Sequence, residues 1–256
     1  MPGKRASVGF TPATVRPTLP TALLETRSVA DRPVMVITGA STGIGAATAR
    51  RAVEFGHRVV LAARSEDKLE ALADELGESA IPVRCDVASW DDQQQLVATA
   101  LDRFGRMDVF FANAGFGAKR GFLEETVEHW RAMIDTNVYG AALAIRAALG
   151  HFREQNSGHM LLTSSVAGRR ALPGSLYSAT KWAVCAMGEA LRQEVAETDI
   201  KVTLIEPGMV DTPFFDDRPK GALEPDDIAR AVLFALTQPA HVDVNEVLVR
   251  PIHQPT

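Results

Sequence analysis

The feature that most constrains this chain is a glycine-rich segment, TGASTGIG at residues 38–45, which directly follows the apolar run VMVIT at Val34–Thr38. The run predicts a strand, and the residues after the segment predict a helix. Gly39 can take the tight bend, Gly43 lets the backbone approach a pyrophosphate, and Gly45 allows close packing of helix on strand. A purely structural turn is the alternative, but three glycines between a strand and a helix favour a dinucleotide-binding site.

Strands and helices alternate along the rest of the chain, as in repeated βαβ units around a parallel sheet. Further strands are predicted at Arg58–Ala63, 81–87, 107–115, 159–165, 201–208 and 245–251. Further helices are predicted after Ser65 and at residues 91–105, 127–152, 177–197 and 225–237. Because the strands are almost entirely apolar, helices should cover both faces of the sheet. We therefore predict an α/β fold, a single-domain Rossmann-type three-layer sandwich with a seven-stranded parallel sheet.

Composition limits the classes of function that fit. A chain of 256 residues, of which 46% are hydrophobic, can bury one large core. Its 27 basic and 32 acidic residues give a net charge of -5, which indicates no nucleic-acid partner and no anionic membrane surface. The best apolar run, residues 141–149, is too short to span a bilayer. We expect a small-molecule substrate.

The cysteines and histidines indicate neither a disulfide framework nor a metal site. Cys85 and Cys185 lie far apart, and none of the six histidines forms a pair at metal-ligand spacing. This cysteine usage is typical of a reducing cytoplasm.

Residues 1–32 differ from the rest of the chain, with four prolines and no sustained periodicity. We expect a poorly ordered N-terminal extension at residues 1–32 and a nucleotide-binding domain at residues 33–256. A misplaced start codon is the alternative, because the strand and helix pattern begins only at Val34.

The segment YSATK places Tyr177 and Lys181 four residues apart, on one face of a predicted helix. An ammonium beside a tyrosine lowers the pKa of the phenol from its usual value of about 10. Each residue alone has a simpler interpretation, Tyr177 as a packing residue and Lys181 as a solvated one. The other motifs of the chain decide between a catalytic pair and these simpler interpretations.

Several motifs occur in one order along the chain: TGASTGIG, Asp86-Val87, Asn113-Ala114-Gly115, Asn137, Ser164-Ser165, YSATK and PGMVDT at residues 207–212. In this order, and with the glycine spacing G-x3-G-x-G, they resemble the short-chain dehydrogenase/reductase (SDR) family over residues 34–251. The tail at residues 223–254 is similar to the branch of NADP-dependent 3-hydroxy acid, serine 3- and clavulanate dehydrogenases. The resemblance implies hydride transfer between a nicotinamide and a small ketone, aldehyde or 3-hydroxy acid.

The resemblance also implies how the catalytic residues divide the work. A hydride that reaches a carbonyl carbon leaves charge on the oxygen, so the site needs a proton donor and a hydrogen-bond donor there. Tyr177 would be the general acid/base, and Lys181 would lower its pKa and bind the nicotinamide ribose. Asn137 would bind a water on the Lys181 side and extend a proton relay, unless it merely bonds its own helical turn.

The second hydrogen-bond donor is one of two neighbouring serines. Counted forward from the predicted strand, the family position falls on Ser165, whereas counted back from Tyr177 it falls on Ser164. Because deletions concentrate in loops rather than strands, we assign the missing residue to the loop at residues 166–176. We therefore predict Ser165, with Ser164 as the alternative.

The end of the second strand predicts the cofactor. A dinucleotide fold ordinarily places an acid there for the ribose diol, but this chain has Ala63 and then Arg64. A guanidinium binds the 2′-phosphate of NADP through charge-assisted hydrogen bonds, so we predict NADP(H). A solvated Arg64 is the alternative, and Thr42 stands where many NADP-preferring relatives carry a basic residue. By resemblance, the cofactor would be lined by Gly39, Ser41, Thr42, Gly43, Ile44, Gly45, Arg64, Asp86, Val87, Asn113, Ala114, Gly115, Tyr177, Lys181, Pro207, Gly208, Val210 and Thr212.

Three expectations remain, on the substrate, the assembly and a rival function. By fold position, Phe214 and Phe215 would face the substrate, and loop cations such as Arg169 would meet a substrate carboxylate if they are not simply solvated. Relatives commonly assemble through the helices predicted at 127–152 and 177–197, so we expect a homotetramer or homodimer. The rival is a non-catalytic NADP(H)-binding redox sensor on the same fold.

Overall fold

The computed structural model of the chain describes residues 32–215 and 219–254. It contains one sheet of seven strands in the order β3-β2-β1-β4-β5-β6-β7. The strands are β1 Val34–Thr38, β2 Arg58–Ala63, β3 Ala80–Arg84, β4 Val109–Ala112, β5 Ser157–Thr163, β6 Asp199–Pro207 and β7 Glu246–Val249. Every neighbouring pair is parallel, so the predicted α/β Rossmann-type sheet is confirmed.

Helices cover both faces of this sheet. They are α1 Gly43–Glu54, α2 Glu66–Leu76, α3 Trp90–Phe104, α4 Val127–Ile134, α5 Gly140–Glu154, α6 Leu176–Glu194 and α7 Pro225–Leu236. Successive residues of one strand enter opposite cores: in β4, Phe110 packs into the core on one face and Phe111 into the core on the other, both fully buried. Burial on both faces is why these strands are continuous apolar runs in the sequence.

The helix predicted at residues 127–152 is not continuous, and this part of the prediction was wrong. A π-helical turn, Asp135–Tyr139, separates α4 from α5. Asn137 lies in this turn and is 2% exposed, because its side chain bonds to Phe116 and Thr180 on neighbouring segments. Hydrophobic periodicity does not reveal such a turn, since the apolar positions on either side still repeat at helical spacing. Turns of this type are rare and often occur at functional sites.

The strand order reverses at β1, which lies between β2 and β4. In parallel sheets of this type, ligands bind outside the carboxyl ends of the strands at the point of reversal. That edge carries the glycine-rich segment after β1, Asn113 after β4 and the serine pair after β5. The topology therefore brings together motifs that are far apart in the sequence.

Two expectations concern parts of the chain away from this edge. The predicted extension at residues 1–32 lies outside the described residues except for Arg32. Among the helices of the described ranges, none is long and apolar enough to cross a membrane.

Candidate active site

The glycine-rich turn joins β1 to α1. Gly39 and Gly43 have φ angles of +66° and +55°, in the left-handed region where a Cβ is disfavoured. A Cβ at Gly45 would lie 2.3 Å from the carbonyl oxygen of Gly39, so the first turn of α1 rests directly on the bend. Each glycine is thus required by conformation or by close approach.

The start of α1 offers a surface for an anion. Thr42 precedes the helix with an extended backbone, and its side chain makes no capping hydrogen bond. The first N–H groups of α1 therefore have no partner within the helix or from its cap residue. Such N–H groups, at the positive end of a helix dipole, suit a phosphate. Ser41 and Ile44 are partly exposed in the same turn, which fits the pyrophosphate of a dinucleotide.

Beside this turn, a neutral cluster of Thr38, Asn113, Ala114 and Thr163 ties together the carboxyl ends of β1, β4 and β5. Thr38 Oγ1 accepts hydrogen bonds from the N–H groups of Asn113 and Ala114 at 3.0 and 3.1 Å. The Asn113 amide donates to the Thr38 carbonyl at 3.1 Å and accepts from Thr163 Oγ1 at 3.1 Å. The Asn113 side chain is thus occupied in holding the strand ends together.

Tyr177 lies in the first turn of α6. Ser175 caps this helix by accepting a hydrogen bond from the N–H of Ser178 at 3.2 Å, so the helix begins just before the tyrosine. Ser165 is the polar side chain that acts on the Tyr177 hydroxyl. Loss of hydration raises the pKa of Tyr177 to about 12, and Ser165 opposes this rise. At neutral pH the phenol therefore holds its proton.

Lys181 follows Tyr177 by one turn and is 4% exposed. Its Nζ donates to the Thr163 carbonyl at 2.8 Å and lies 5.7 Å from the centroid of the Tyr177 ring. Burial lowers the pKa of Lys181 to about 8. The ammonium thus contacts the end of β5, and its expected effect on the pKa of Tyr177 stays a prediction.

The two serines after β5 bond to different partners. Ser165 Oγ donates to the Pro207 carbonyl at 3.3 Å and accepts from the Ala167 N–H at 3.1 Å. Ser164 Oγ donates to the Lys181 carbonyl at 3.0 Å and is 1% exposed. The geometry places Ser165 beside the phenol, while Ser164 fastens α6 to the end of β5.

Asn137 holds the segment after β4 against α6. Its Oδ1 accepts from the Phe116 N–H at 3.0 Å, and its Nδ2 donates to the Phe116 carbonyl at 2.9 Å and to Thr180 Oγ1 at 3.1 Å. A Cβ on Gly115 would lie 3.0 Å from Asn137 Oδ1 and 3.4 Å from Lys181 Nζ. Asn137 and Lys181 therefore flank the same glycine, and the water relay stays a prediction.

Three predicted cofactor residues, Thr212, Arg64 and Asp86, are exposed or partly exposed. A Cβ on Gly43 would approach Thr212 Cγ2 to 3.0 Å, so Thr212 lies against this turn. Arg64 is exposed, and no residue of the described ranges bonds to its guanidinium. Asp86 is also exposed, and its Oδ1 accepts from the Ala88 N–H at 3.0 Å.

The other predicted cofactor residues are more enclosed. Val87 is buried, and a Cβ on Gly140 would lie 2.8 Å from its Cγ2. Pro207 ends β6, and the Gly208 N–H donates to the carbonyl at the end of β7 at 2.7 Å. Val210, two residues before Thr212, is 4% exposed. The structure shows how these residues are held, and their contacts with a cofactor stay predictions.

Phe214 covers one side of Tyr177. The two rings meet edge to face with centroids 5.5 Å apart, and Phe215 packs on Phe214 at 5.1 Å. A Cβ on Gly117 would lie 2.7 Å from Phe214 Cζ, so the segment after β4 also contacts this ring. The surroundings of the tyrosine are therefore apolar on the side of the segment after β6.

Sequence reasoning missed a charged cluster of Arg169, Cys185, Glu206 and Glu246 behind the serines. Glu206, on β6, is 1% exposed and accepts hydrogen bonds from Arg169 Nε at 2.6 Å and from Cys185 Sγ at 3.3 Å. Arg169 also forms an ion pair with Glu246 on β7. Burial raises the pKa of Glu206, whereas Arg169 and Cys185 lower it. The available signal was a glutamate that directly follows the apolar pair Leu204-Ile205 in the predicted strand KVTLIEPG.

Comparison with known proteins gives the family. The model of the short chain dehydrogenase family matches residues 33–222. An uncharacterized oxidoreductase of Staphylococcus haemolyticus is 45% identical over 224 residues, which cover 86% of this chain and 97% of the relative. A similar oxidoreductase of Staphylococcus aureus is 41% identical over 224 residues, with the same shares of 86% and 97%.

Solved structures agree in fold and sequence. An alcohol dehydrogenase from the archaeon Thermococcus sibiricus, complexed with 5-hydroxy-NADP, has a TM-score of 0.82 at 35% identity, over 88% of this chain and 99% of that one. A serine dehydrogenase complexed with NADP+ has a TM-score of 0.81 at 31% identity, over 87% and 96% of the two chains. Since the family model and these relatives each cover most of the chain, the expected resemblance is confirmed, and the protein belongs to the short chain dehydrogenase family of oxidoreductases.

Proposed function

We propose that the protein is an NADP(H)-dependent oxidoreductase that interconverts a small carbonyl compound and its secondary alcohol, with Tyr177 as general acid/base. The observation that carries this proposal is the placement of Ser165 beside Tyr177, one helical turn from the buried Lys181, at the edge where the strand order reverses. A phenol, a hydroxyl and an ammonium at one ligand-binding edge suit proton transfer to a carbonyl oxygen.

In this proposal the cofactor supplies the hydride in reduction and accepts it in oxidation. Tyr177 gives its proton to the substrate oxygen, and Ser165 holds that oxygen within reach. Lys181, protonated below a pKa of about 8, stabilises the phenolate that remains. Asn137 bonds to the backbone of Phe116, and by the family resemblance a water on its Lys181 side would return the proton.

The proposed cofactor is NADP(H) rather than NAD(H). Arg64 is exposed just after β2, with no partner among the described residues, so it is available to a 2′-phosphate. Two of the similar solved structures are complexed with NADP+ or a derivative of NADP. Arg64→Asp should raise the KM for NADPH sharply and leave that for NADH nearly unchanged. An unchanged preference between the two cofactors would contradict this assignment.

The proposed function is tested by turnover of a panel of ketones, aldehydes, diketones and 3-hydroxy acids, with NADPH or NADP+, by wild type and Tyr177→Phe. We expect kcat to fall about 10²- to 10⁴-fold in Tyr177→Phe, while NADPH fluorescence shows that the cofactor still binds. If wild type binds NADPH but turns over no member of the panel, the redox-sensor alternative is correct.

The two serines provide a second test of the same site. Ser165→Ala removes the hydroxyl beside Tyr177 and should abolish turnover, whereas Ser164→Ala should leave most of it. The reverse result would assign the catalytic role to Ser164.

Assembly and location belong to the same proposal. Exposed apolar side chains on α6 and on the π-helical turn, including Trp182 at 49% and Tyr139 at 52% exposure, support a homodimer or homotetramer. Free, buried Cys85 and Cys185 are compatible with the cytoplasm. Light scattering of the purified protein would give the oligomeric state.

A further inference from the structure

Glu206 carries a carboxylate in a place where charge is costly. It is 1% exposed on β6 and directly precedes Pro207, whose carbonyl accepts the hydrogen bond of Ser165 at 3.3 Å. A buried carboxylate requires a partner that offsets its loss of hydration. In the described structure, Arg169 supplies it through Nε at 2.6 Å, and the thiol of Cys185 adds a weaker bond at 3.3 Å.

Arg169 closes the short segment that begins at Ser165. Between them lies a single 3-10 turn, Val166–Gly168, and Arg169 is the residue that ends it. From there its guanidinium reaches two strands, binding Glu206 on β6 and Glu246 on β7. The planar, forked guanidinium can bridge two carboxylates in this way, whereas an ammonium is a single point of charge.

The other end of this segment is fixed by neighbouring atoms. Ser164 Oγ donates to the Lys181 carbonyl at 3.0 Å and lies 3.0 Å from Cys185 Sγ. A Cβ on Gly168 would lie 2.4 Å from Ser164 Oγ and 2.8 Å from the Lys181 carbonyl, so the 3-10 turn rests directly on α6. Ser165 thus sits between two anchors, with Ser164 before it and Arg169 after it.

We propose that the Arg169–Glu206 ion pair positions Ser165 against the hydroxyl of Tyr177. Arg169 and Glu206 are positioning residues, since neither touches the phenol, and the inference rests on the function proposed above. The same contacts give Arg169 a role other than binding a substrate carboxylate, because two carboxylates of the protein already occupy its guanidinium.

The test uses the double variant Arg169→Met/Glu206→Gln, which leaves no uncompensated buried carboxylate, and the conservative variant Arg169→Lys. The control is Arg50→Met, which removes an ion pair of the same 2.6 Å length between Arg50 and Glu75 on the surface. Each is assayed with the best carbonyl of the panel for kcat, for the KM of NADPH and for the pH profile of reduction. Thermal melting shows that each variant is folded.

We expect the double variant to lose about 10- to 100-fold in kcat, since a misplaced catalytic contact costs that much, with the KM for NADPH within about twofold of wild type. Because Ser165 lowers the pKa of Tyr177, its displacement should move the alkaline limb of the profile to higher pH. Arg169→Lys should fall between wild type and the double variant, and Arg50→Met should match wild type.

Two outcomes would overturn the inference. One is a folded double variant with the kcat and pH profile of Arg50→Met. The other is a lower kcat with an unmoved alkaline limb, which indicates general loosening rather than displacement of Ser165. If the double variant does not fold, the same criteria apply to Arg169→Lys, which retains the charge. Failure of the proposed function is seen separately, as an unchanged kcat in Tyr177→Phe.

Discussion

The two clusters on either side of Tyr177 and Lys181 hold the strand ends by different means. The neutral cluster joins β1, β4 and β5 through hydroxyl, amide and backbone groups alone. The charged cluster joins β6, β7 and the segment after β5 through a guanidinium and two carboxylates. The first adjoins the glycine turn of the proposed cofactor site, and the second lies behind Ser165.

This difference has a physical consequence. Hydrogen bonds between neutral groups do not change with pH, and they add no charge beside the positive end of the α1 dipole, which suits a phosphate. A buried carboxylate is stabilised only while its cationic partner is in place. The charged cluster therefore fixes geometry, but the loss of one member lowers the stability of the fold. We therefore expect the two clusters to respond differently to single substitutions.

The largest effect should come from Thr38→Val in the neutral cluster. The change leaves the part-buried N–H groups of Asn113 and Ala114 without their acceptor, and each unsatisfied donor costs roughly 1–3 kcal/mol. We expect the free energy of unfolding, measured by urea denaturation, to fall by about 3 kcal/mol or more. Thr38→Ser keeps the hydroxyl and should lose about 1 kcal/mol. Equal stability of the two variants would show that the hydroxyl does not hold these strands.

A smaller loss of stability, which a second substitution should partly reverse, is expected in the charged cluster. Arg169→Met leaves Glu206 buried and unpaired, but the Arg169 side chain is 36% exposed, so solvent screening reduces the loss to about 2 kcal/mol. Adding Glu206→Gln should restore part of this stability, because the uncompensated charge is gone. A double variant less stable than Arg169→Met would contradict the view that the uncompensated carboxylate of Glu206 causes the loss of stability.

A pH dependence of stability is expected at a buried histidine that lies away from the charged cluster. His159, on β5, is 6% exposed and bonds through Nε2 to Thr203 Oγ1 at 2.7 Å, and burial lowers its pKa to about 3. Its unfolded pKa is about 6.5, so the unfolded state binds the proton first and stability falls as pH drops below that value. We expect a loss of about 1 kcal/mol between pH 7 and pH 5.5.

The control is His159→Gln, in which this part of the pH dependence should disappear. An unchanged slope would assign the acid sensitivity to other groups.

The smallest effect should be seen in thiol labelling, which reports on opening of the charged cluster. Cys85 and Cys185 are both buried, and burial raises the pKa of Cys185 to about 11. In Cys85→Ala the remaining thiol should therefore react with a thiol reagent only slowly in the native state. Labelling should accelerate in Cys85→Ala/Arg169→Met. Rapid labelling of Cys85→Ala itself would show that the charged cluster opens readily.

Local sequence patterns predicted the fold well because they have local causes. Burial on both faces makes the strands apolar, and the glycines of the turn are required by positive φ angles or by close approach of the backbone. The Arg169–Glu206 contact joins residues 37 apart in sequence, and no local pattern specifies which cation meets which carboxylate. The contact of Phe214 with Tyr177 likewise depends on how the segment after β6 folds back.

The π-helical turn at Asp135–Tyr139 makes the site depend on the number of residues as well as on their identity. A wider turn accommodates extra chain, so deleting one residue between α4 and α5 would favour a continuous α-helix. Each residue advances an α-helix by about 100°, so such a deletion would rotate the side chains on one side of it away from their partners. Asn137 would then lose Phe116 and Thr180. A substitution scan leaves this spacing intact and would not detect the dependence.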